Sequence, residues 1–270
     1  MKTSASIVLY NSCFKEISLV VSRLVQVPEI IKVYLIDNGG SDFAKRLNYT
    51  FGENVIYIRS PKNIGYGAGH NIAIKNAEKI NSDLHIVMNS DISFEPKQLQ
   101  SFLKKLSTMK SFFIAGPKIL NPNDYNMSYF KYSPALSQMV KRFFNSGKYK
   151  YNLQMTNFAA DIFHCPYLSG AFIVFKVTNL KRLGYFDERF FMYPEDIDIS
   201  LRATILGGSI GLRQFTVVHD HRAESKKSWK LLFYHIVNML KFYWKWRIEK
   251  RVDLKAANKR AGTPFISDTL

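Results

Sequence analysis

The chain has 270 residues, of which 47% are hydrophobic and 22% are charged, so it can bury a sizeable core and is not disordered throughout. No stretch reaches the ~18 uninterrupted apolar residues that cross a membrane, and we therefore expect a soluble or peripheral protein. The formal net charge of +17 favours an anionic partner, which could be nucleic acid, an anionic membrane or a phosphorylated substrate.

Strand and helix patterns alternate over residues 6–115. Short apolar runs predict strands, and apolar residues three or four positions apart predict helices. The predicted strands are 6–10, 33–36, 55–58, 84–88 and 112–115, and the predicted helices are 14–27, 71–80 and 95–106. This order predicts an α/β fold with a Rossmann-like, mostly parallel sheet and helices on both faces.

Polar residues follow several of these predicted strands, namely Asn11, Asp37, Asn63 and Asp91. Each of them alone would be explained as a turn residue. Parallel sheets, however, place ligand sites at the carboxyl ends of their strands, where these side chains would converge. Their recurrence after successive strands therefore predicts a ligand crevice.

A glycine-rich segment, Asn63-Ile-Gly65-Tyr-Gly67-Ala-Gly69-His-Asn71, follows the third predicted strand and leads into a helix. It does not match the G-x-G-x-x-G dinucleotide pattern, because His70 stands where the last glycine would be. Glycines still let a ligand approach the backbone closely, and a helix N-terminus favours phosphate. A tight turn without a ligand is an equally good explanation.

The pattern changes after the fifth predicted strand. Residues 121–165 mix tyrosines with lysines and arginines without a clean period. This indicates a long insertion on the acceptor side of the site, such as a lid or binding loop, or else a variable surface excursion. Order returns with a predicted strand at 168–175, a helix at 196–206 and a strand at 209–218.

Asn89-Ser90-Asp91 ends a buried predicted strand. An acidic residue in that place can hold a divalent cation that bridges a diphosphate, although Asp also caps helices and turns. His219 and His221 follow another predicted strand and could complete a metal site begun by Asp91, although such a pair is more often structural.

Glu195, Asp196 and Asp198 form an acidic cluster beside an aromatic run. Mutual repulsion and partial desolvation would raise the pKa of a carboxylate here, as a general base requires. An acidic first turn that is favoured by the helix dipole is an equal alternative.

Together these segments resemble the inverting glycosyltransferase family 2 with the GT-A fold, especially its rhamnosyltransferase-like branch. The matching segments are SIVLYN (6–11), LIDNGGSD (35–42), NIGYGAGHNIAI (63–74), MNSDI (88–92), LSGAFIVFK (168–176), FDERFFMYPEDIDISLRA (186–203) and VVHDH (217–221). The resemblance implies a catalytic domain over 1–225, with 121–165 as its insertion, and a separate tail over 226–270.

The resemblance also implies a donor site. Asp37 would contact the nucleobase with Asn11 near it, and Asp91 matches the last position of the family's Asp-x-Asp motif. The residues implied for donor binding are Asn11, Asp37, Asn63, Gly65, Gly67, Asn71, Asn89 and Asp91. Asn89 departs from the first Asp of that motif, which weakens the expected metal site by one charge.

The catalytic residues implied by the resemblance are Asp196, as the general base, and its neighbour Glu195. His219 matches a histidine that can join Asp91 in holding Mg²⁺ or Mn²⁺. Asp196 would take a proton from an acceptor hydroxyl, which attacks the anomeric carbon and inverts it. The donor would be a dTDP- or UDP-linked sugar such as rhamnose. The acceptor would be a glycan, often lipid-linked, in the synthesis of a cell-surface polysaccharide.

The basic tail, from 226 to 251, has two stripes with helical spacing. An aromatic and apolar stripe includes Phe233, Ile236, Leu240 and Trp244, and the polar stripe is Lys227, Lys230, Tyr234, Asn238, Lys241 and Lys245. Such helices lie in membrane interfaces. The alternative is that the apolar stripe packs on the catalytic domain or on a second subunit of a homodimer.

The two cysteines, Cys13 and Cys165, are too few for a disulfide framework, so a reducing compartment is expected. With the basic tail, this predicts a cytoplasmic protein at the inner face of the cell membrane.

A sugar nucleotidyltransferase is a rival interpretation, but SIVLYNS (6–12) lacks a triphosphate-binding signature. A nucleic-acid-binding protein is another, but carboxylates at Asp37, Asp91 and Asp196 would repel phosphates. A catalytically silent relative is a third.

Overall fold

The computed structural model describes residues 1–122, 130–134, 138, 155, 158–219, 229–250, 253 and 256–266. Its strands are β1 (Thr3–Leu9), β2 (Ile30–Asp37), β3 (Val55–Arg59), β4 (Leu84–Met88), β5 (Ile92–Ser93), β6 (Ile114–Leu120), β7 (Ile162–His164), β8 (Phe172–Lys176) and β9 (Ser209–His219). Its α-helices are α1 (Phe14–Leu24), α2 (Lys45–Phe51), α3 (Tyr66–Lys79), α4 (Pro96–Ser107), α5 (Leu180–Leu183), α6 (Glu195–Ile205) and α7 (Trp229–Tyr243). Wider π-helical turns, Trp244–Glu249, continue α7, and short 3₁₀ turns lie at Asp42–Ala44, Gly52–Asn54, Val177–Asn179 and Ala256–Asn258.

The strands form one mixed sheet in the order β3-β2-β1-β4-β8-β6-β9-β5, with β7 paired to β9. The first four strands along the chain are mutually parallel where they pair. The later strand β8 runs antiparallel between β4 and β6, whereas β6 and β9 are parallel to each other. The prediction of a mostly parallel α/β sheet is therefore confirmed.

Two hydrophobic clusters lie on opposite faces of this sheet, because side chains alternate along each strand. On β8, Phe172 and Val174 face the cluster that α1 and α4 cover, while Ile173 and Phe175 face the cluster that α3, α5 and α6 cover. On α1 the buried residues are three or four positions apart, as an amphipathic helix requires: Ile17, Val20, Val21 and Leu24. Helices on both faces were expected from the sequence.

Two elements differ from the sequence prediction next to the candidate site. Helix α3 begins at Tyr66, five residues before the predicted start at 71, directly after the positive-φ residue Gly65. Strand β8 begins at Phe172, after the predicted start at 168. The residues just before β8 do not pair with a neighbouring strand. The Gly170 backbone instead forms hydrogen bonds with side chains of the candidate site.

The tail helix, defined as α7 with its continuation to Glu249, packs on α6. The side chains buried in this contact include Met239, Phe242 and Trp246, which meet Ile197 and Leu201. Asn238 and Lys245 from the predicted polar stripe are also buried. The apolar stripe does not pack on the domain, because Phe233, Ile236, Leu240 and Trp244 are exposed. For these four side chains, packing on the catalytic domain is wrong, whereas packing on a second subunit stays a prediction.

The predicted boundary at 225 and most of the predicted insertion at 121–165 lie outside the described residues. The division of the chain into these parts stays a prediction. In the described residues no helix is long and apolar enough to cross a bilayer.

Candidate functional site

The carboxyl ends of β1 and β2 bring two predicted donor-site residues together. Leu9 is in register with Asp37, and just beyond the ladder the Asn11 N–H donates to the Gly39 carbonyl at 3.0 Å. Asn11 has a positive φ of 48° and is exposed. Asn11 and Asp37 therefore lie at the same edge of the sheet, and a ligand crevice there stays a prediction.

Asp37 is fully buried at the end of β2. Its Oδ2 accepts a hydrogen bond from the Tyr57 hydroxyl at 2.6 Å, and its Oδ1 accepts one from the Gly39 N–H at 2.8 Å. Both carboxylate oxygens thus stabilise the turn that follows β2. A direct contact between Asp37 and a nucleobase stays a prediction.

The glycine-rich segment forms a tight loop and the first turns of α3. The Asn63 Oδ1 accepts a hydrogen bond from the Gly65 N–H at 3.0 Å, and Gly65 has φ of +91°, which disfavours other residues. A Cβ on Gly65 would lie 2.1 Å from the Phe191 carbonyl oxygen. The loop is therefore held against the segment that carries the acidic pair.

Gly67 and Asn71 fix α3 to the same segment. A Cβ on Gly67 would lie 2.9 Å from the Phe186 Cβ and 3.5 Å from the Glu195 Cβ. The Asn71 side chain accepts a hydrogen bond from the Phe186 N–H and donates to the Phe186 carbonyl and to Glu188. Asn71 is buried, so these bonds give it a supporting function at the pocket wall.

Asn89, Asp91 and His219 meet where β4 and β9 end. The Asp91 Oδ1 lies 3.3 Å from the His219 Nε2, and the Asn89 Nδ2 lies 3.4 Å from the same nitrogen. The Asp91 Oδ1 is buried and makes no hydrogen bond. Strands far apart in sequence thus bring together the two predicted metal ligands, whereas His221 lies outside the described residues.

A buried carboxylate oxygen next to an imidazole nitrogen fits two ligands of a divalent cation. Among the described residues, no group of three or more His, Cys, Asp or Glu side chains could hold a metal. Within the described residues, Asp91 and His219 therefore supply two ligands for such a cation.

The acidic pair opens α6, but its two members have different surroundings. The Asp196 Oδ2 accepts hydrogen bonds from the Gly170 N–H at 3.0 Å and the Tyr167 hydroxyl at 3.1 Å, and its Oδ1 accepts one from the Ile197 N–H at 2.8 Å. Glu195 is 6% exposed, and its Oε2 has no hydrogen-bond partner. Burial, and secondarily the charge of Asp196, raises the pKa of Glu195 to about 8.

Tyr66, which the sequence pattern did not single out, lies near the acidic pair, because the Gly170 backbone bonds to both Tyr66 and Asp196. Burial raises the pKa of its phenol well above the usual value, and the charges of Glu195, Asp196 and Asp91 raise it further. Its hydroxyl donates to the Gly170 carbonyl at 2.6 Å. Tyr167 was also missed, since neither tyrosine belongs to a polar strand-end pattern.

A cavity of about 610 Å³ lies on the other side of the first turns of α3. Its lining includes Asn63, Asn71 and Phe191 and the two cationic side chains Lys62 and Lys75. Neither Asp91 nor Asp196 lines it. This cavity adjoins the candidate site through the glycine-rich loop but does not contain the acidic groups.

Known proteins of similar sequence act in glycan synthesis. The chain is 24% identical over 209 residues to the N-acetylglucosaminyl-diphospho-decaprenol L-rhamnosyltransferase of Mycobacterium tuberculosis, covering 72% of this chain and 68% of that enzyme. It is 25% identical over 235 residues to the low-salt glycan biosynthesis hexosyltransferase Agl10 of Haloferax volcanii, with coverage of 84% and 70%. The rhamnosyltransferase WbbL of Escherichia coli matches at 24% identity over 53% of this chain and 55% of its own length.

Solved structures with the same fold include GalNAc-T7 with UDP, GalNAc and Mn²⁺, at a TM-score of 0.66 and 14% identity, over 93% of this chain. The chain spans about half (49%) of that structure. The mannosyltransferase PcManGT of Pyrobaculum calidifontis, in complex with GDP-Man and Mn²⁺, has a TM-score of 0.59 at 14% identity, with coverage of 90% and 64%. These likenesses confirm the GT-A-like α/β fold.

The family model described as glycosyl transferase family 2 matches residues 4–183, which is two thirds of the chain. The matched region includes β1 to β4, the glycine-rich loop and Asp91. It ends before the acidic pair at 195–196, which contacts the matched region through Gly67 and Gly170. The chain belongs to glycosyl transferase family 2.

Proposed function

We propose that this chain is an inverting glycosyltransferase that moves a sugar from a nucleoside diphosphate to a hydroxyl of a glycan acceptor. The observation that carries this proposal is the contact of the acidic pair with the glycine-rich loop at the N-terminus of α3: Gly67 packs on Glu195, and the Gly170 backbone bonds to both Tyr66 and Asp196. In this proposal Asp91 would help to hold a diphosphate-bound cation, and the acidic pair would deprotonate the acceptor.

Asp196 would act as the general base. Hydrogen bonds from Gly170, Tyr167 and Ile197 fix the orientation of its carboxylate. Its Oδ2 or Oδ1 would accept the proton of the acceptor hydroxyl while that oxygen forms its bond to the anomeric carbon. The bond from the same carbon to the diphosphate oxygen breaks on the opposite face, and the product has the inverted configuration.

Glu195 would be the protonated member of the acidic pair, so that the negative charge stays on Asp196. Three hydrogen-bond donors point at Asp196, whereas the Glu195 Oε2 has none, so a single negative charge is better accommodated on Asp196. With a pKa raised to about 8, Glu195 is largely protonated at neutral pH. A neutral Glu195 avoids placing a second charge beside the base.

Asp91 and His219 would hold Mg²⁺ or Mn²⁺, with Asn89 beside them. The cation would neutralise charge on the departing diphosphate. This assignment is supported by the buried, unbonded Oδ1 of Asp91 next to the imidazole, and by the Mn²⁺ in two structures of the same fold. The strand-end and loop residues from Asn11 to Asn71 would line or support the donor pocket.

The sugar, the base and the acceptor are proposed from the relatives. Two of them are rhamnosyltransferases and one is a hexosyltransferase, which favours a hexosyl-type donor such as a dTDP- or UDP-linked rhamnose. The mycobacterial enzyme's name describes a lipid-linked acceptor. A lipid-linked glycan in cell-surface polysaccharide synthesis, at the inner face of the cell membrane, is the acceptor we propose here.

The test is a thermal unfolding screen of the full chain with UDP, dTDP and GDP, each with and without Mn²⁺, against RNA as the competing polyanion. A bound nucleoside diphosphate should raise the unfolding temperature by mass action, and more so with the cation. The nucleotide that stabilises the chain then defines the donor for a transfer assay, in which the anomeric configuration of the product is read by NMR. Stabilisation by RNA alone, or a retained configuration, would disprove the proposal.

A further inference from the structure

The tail helix has two chemically different faces. Its inner face is buried on α6, and Asn238, Phe242 and Lys245 are at most 6% exposed. Its outer face carries five large apolar side chains spaced three or four residues apart: Phe233 (64% exposed), Ile236 (45%), Leu240 (63%), Trp244 (55%) and Ile248 (56%). A row of this length leaves one side of the helix apolar and uncovered.

The surroundings of the outer face are cationic. Lys241, Arg247 and Lys250 are exposed along the same helix. In the sequence from 229 to 250 the only acidic residue is Glu249, which lies 3.6 Å from Arg189 and 3.8 Å from Lys250. An apolar stripe with a tryptophan and flanking cations matches the boundary between lipid headgroups and acyl chains, where cations meet anionic headgroups.

The inner face holds the segment that leads to the acidic pair. The Asn238 side chain donates to the Met192 carbonyl at 2.9 Å, and the Tyr234 and Phe191 rings are 4.7 Å apart. Further along, the Lys245 Nζ donates to Asp198 on α6 at 2.6 Å. A surface that binds the outer face therefore lies one helix away from residues 191–198.

We propose that the outer face of the tail helix, residues 233–248, is a docking surface for an anionic lipid bilayer, and that docking places the acidic pair at the level of the membrane surface. The second part rests on the proposed function, because it gives a lipid-linked acceptor its route to Asp196. The charge complementarity favours a bilayer over a second copy of this chain, since two copies would bring like-charged faces together.

The experiment is flotation of the full chain with two kinds of vesicle, one of phosphatidylcholine alone and one of phosphatidylcholine with phosphatidylglycerol. The wild-type chain should float with the anionic vesicles and should do so less at high salt. Leu240→Glu with Trp244→Glu should lower the bound fraction at least tenfold. The matched control is Leu19→Glu, because Leu19 is 48% exposed on α1. It should bind as the wild type does.

Equal flotation of the double variant and the Leu19→Glu control would overturn the docking surface. Light scattering gives the molar mass in solution. A dimeric wild type and a monomeric double variant would also overturn the docking surface, since the stripe would then be a subunit interface. Nucleotide stabilisation is measured on the same variants. Vesicle binding without nucleotide binding would refute the proposed function alone, and nucleotide binding without vesicle binding would refute the docking surface alone.

Discussion

Asp196 and Glu195 are neighbours in sequence, but the backbone around them gives them different chemistry. Asp196 is oriented by donors from the residues just before β8, and Glu195 is buried against the start of α3. Adjacent acids in an exposed helix turn would share one environment. Here the close packing of α3 on α6 separates a hydrogen-bonded carboxylate from a desolvated one, which is a known route to different protonation states.

Asp196→Asn should preserve nucleotide binding and lose most of the transfer activity. The amide has nearly the same shape but cannot accept the acceptor's proton, and loss of a general base typically lowers the rate by about 10²–10⁴-fold. Turnover under saturating donor and nucleotide stabilisation are the two measurements. Turnover within a few-fold of the wild type would remove Asp196 from the role of base.

Glu195→Gln should raise thermal stability more at pH 8 than at pH 5. The folded chain keeps Glu195 protonated up to a pKa of about 8, against an ordinary value of 4.5, so folding opposes ionisation over that interval. The stability associated with this group is fully present below pH 4.5 and is lost as the pH rises through 8. Glutamine does not ionise, so the Glu195→Gln variant does not lose stability in this way as the pH rises. A gain in the unfolding temperature that does not grow with pH would contradict this account.

At the scale of the element, the tail helix is joined to α6 by buried charges. Lys245 donates to Asp198 at 2.6 Å and to Asp187 at 2.8 Å, and the Trp246 Nε1 also donates to Asp198. Burial by itself raises the pKa of Asp187, but hydrogen bonds from Arg189 and Lys245 more than offset this and hold it well below its usual value. Lys245 is thus shared by two carboxylates, each of which also pairs with an arginine: Arg202 with Asp198 and Arg189 with Asp187.

Lys245→Met should destabilise the fold by about 1–3 kcal/mol, because Asp198 and Asp187 each lose a hydrogen bond from a buried cation, while Arg202 still pairs with Asp198 and Arg189 with Asp187. Urea unfolding measures the change. The control is Lys250→Met, because Lys250 is 55% exposed in its side chain. Its expected effect is within about 0.5 kcal/mol. Equal losses in the two variants would show that the buried contacts of Lys245 do not stabilise the helix.

At the scale of the whole molecule, a buried network of polar side chains links the central strands β1 and β4 to α3. Ser6 on β1 lies 2.9 Å from the His85 Nε2 on β4 and 2.7 Å from the His70 Nδ1 on α3, and Ser4 lies 2.8 Å from the His85 Nδ1. Burial lowers the pKa of His85 from 6.5 to about 3, and burial together with His85 lowers that of His70 well below its usual value. Both rings are therefore neutral in the folded protein.

The fold should lose stability as the pH falls from 6.5 towards 3, because the unfolded chain binds protons that buried His85 cannot accept. The stability that depends on the neutral ring is present above pH 6.5. His85→Gln should flatten this slope even if it lowers stability at neutral pH, so the slope is the readout. The free energy of unfolding is measured at a series of pH values. If the free energy of unfolding of His85→Gln falls with decreasing pH as steeply as that of the wild type, His85 is not the cause of the acid sensitivity.

Much of the fold could be predicted because the central strands are buried on both sides. Such strands must be continuously apolar, and β4 was predicted with its observed ends, 84 and 88. The start of α3 was harder to predict from the sequence. Its first turns are glycine-rich, and they pack against Phe191 and Phe186, more than a hundred residues later in the chain. Local pattern has no information about such distant contacts.

The alternation of elements, the polar residues at the strand ends and the family could all be inferred from the amino-acid sequence. Burial of apolar strands and the geometry of turns are local requirements, and each leaves a local pattern. Long-range packing, in contrast, brings Tyr66 and Asp196 to the same backbone at Gly170 and buries Asn238 and Lys245 on the inner face of the tail helix. Both stripes of that helix have helical spacing, and the choice between them depends on Met192 and Asp198, which other parts of the chain supply.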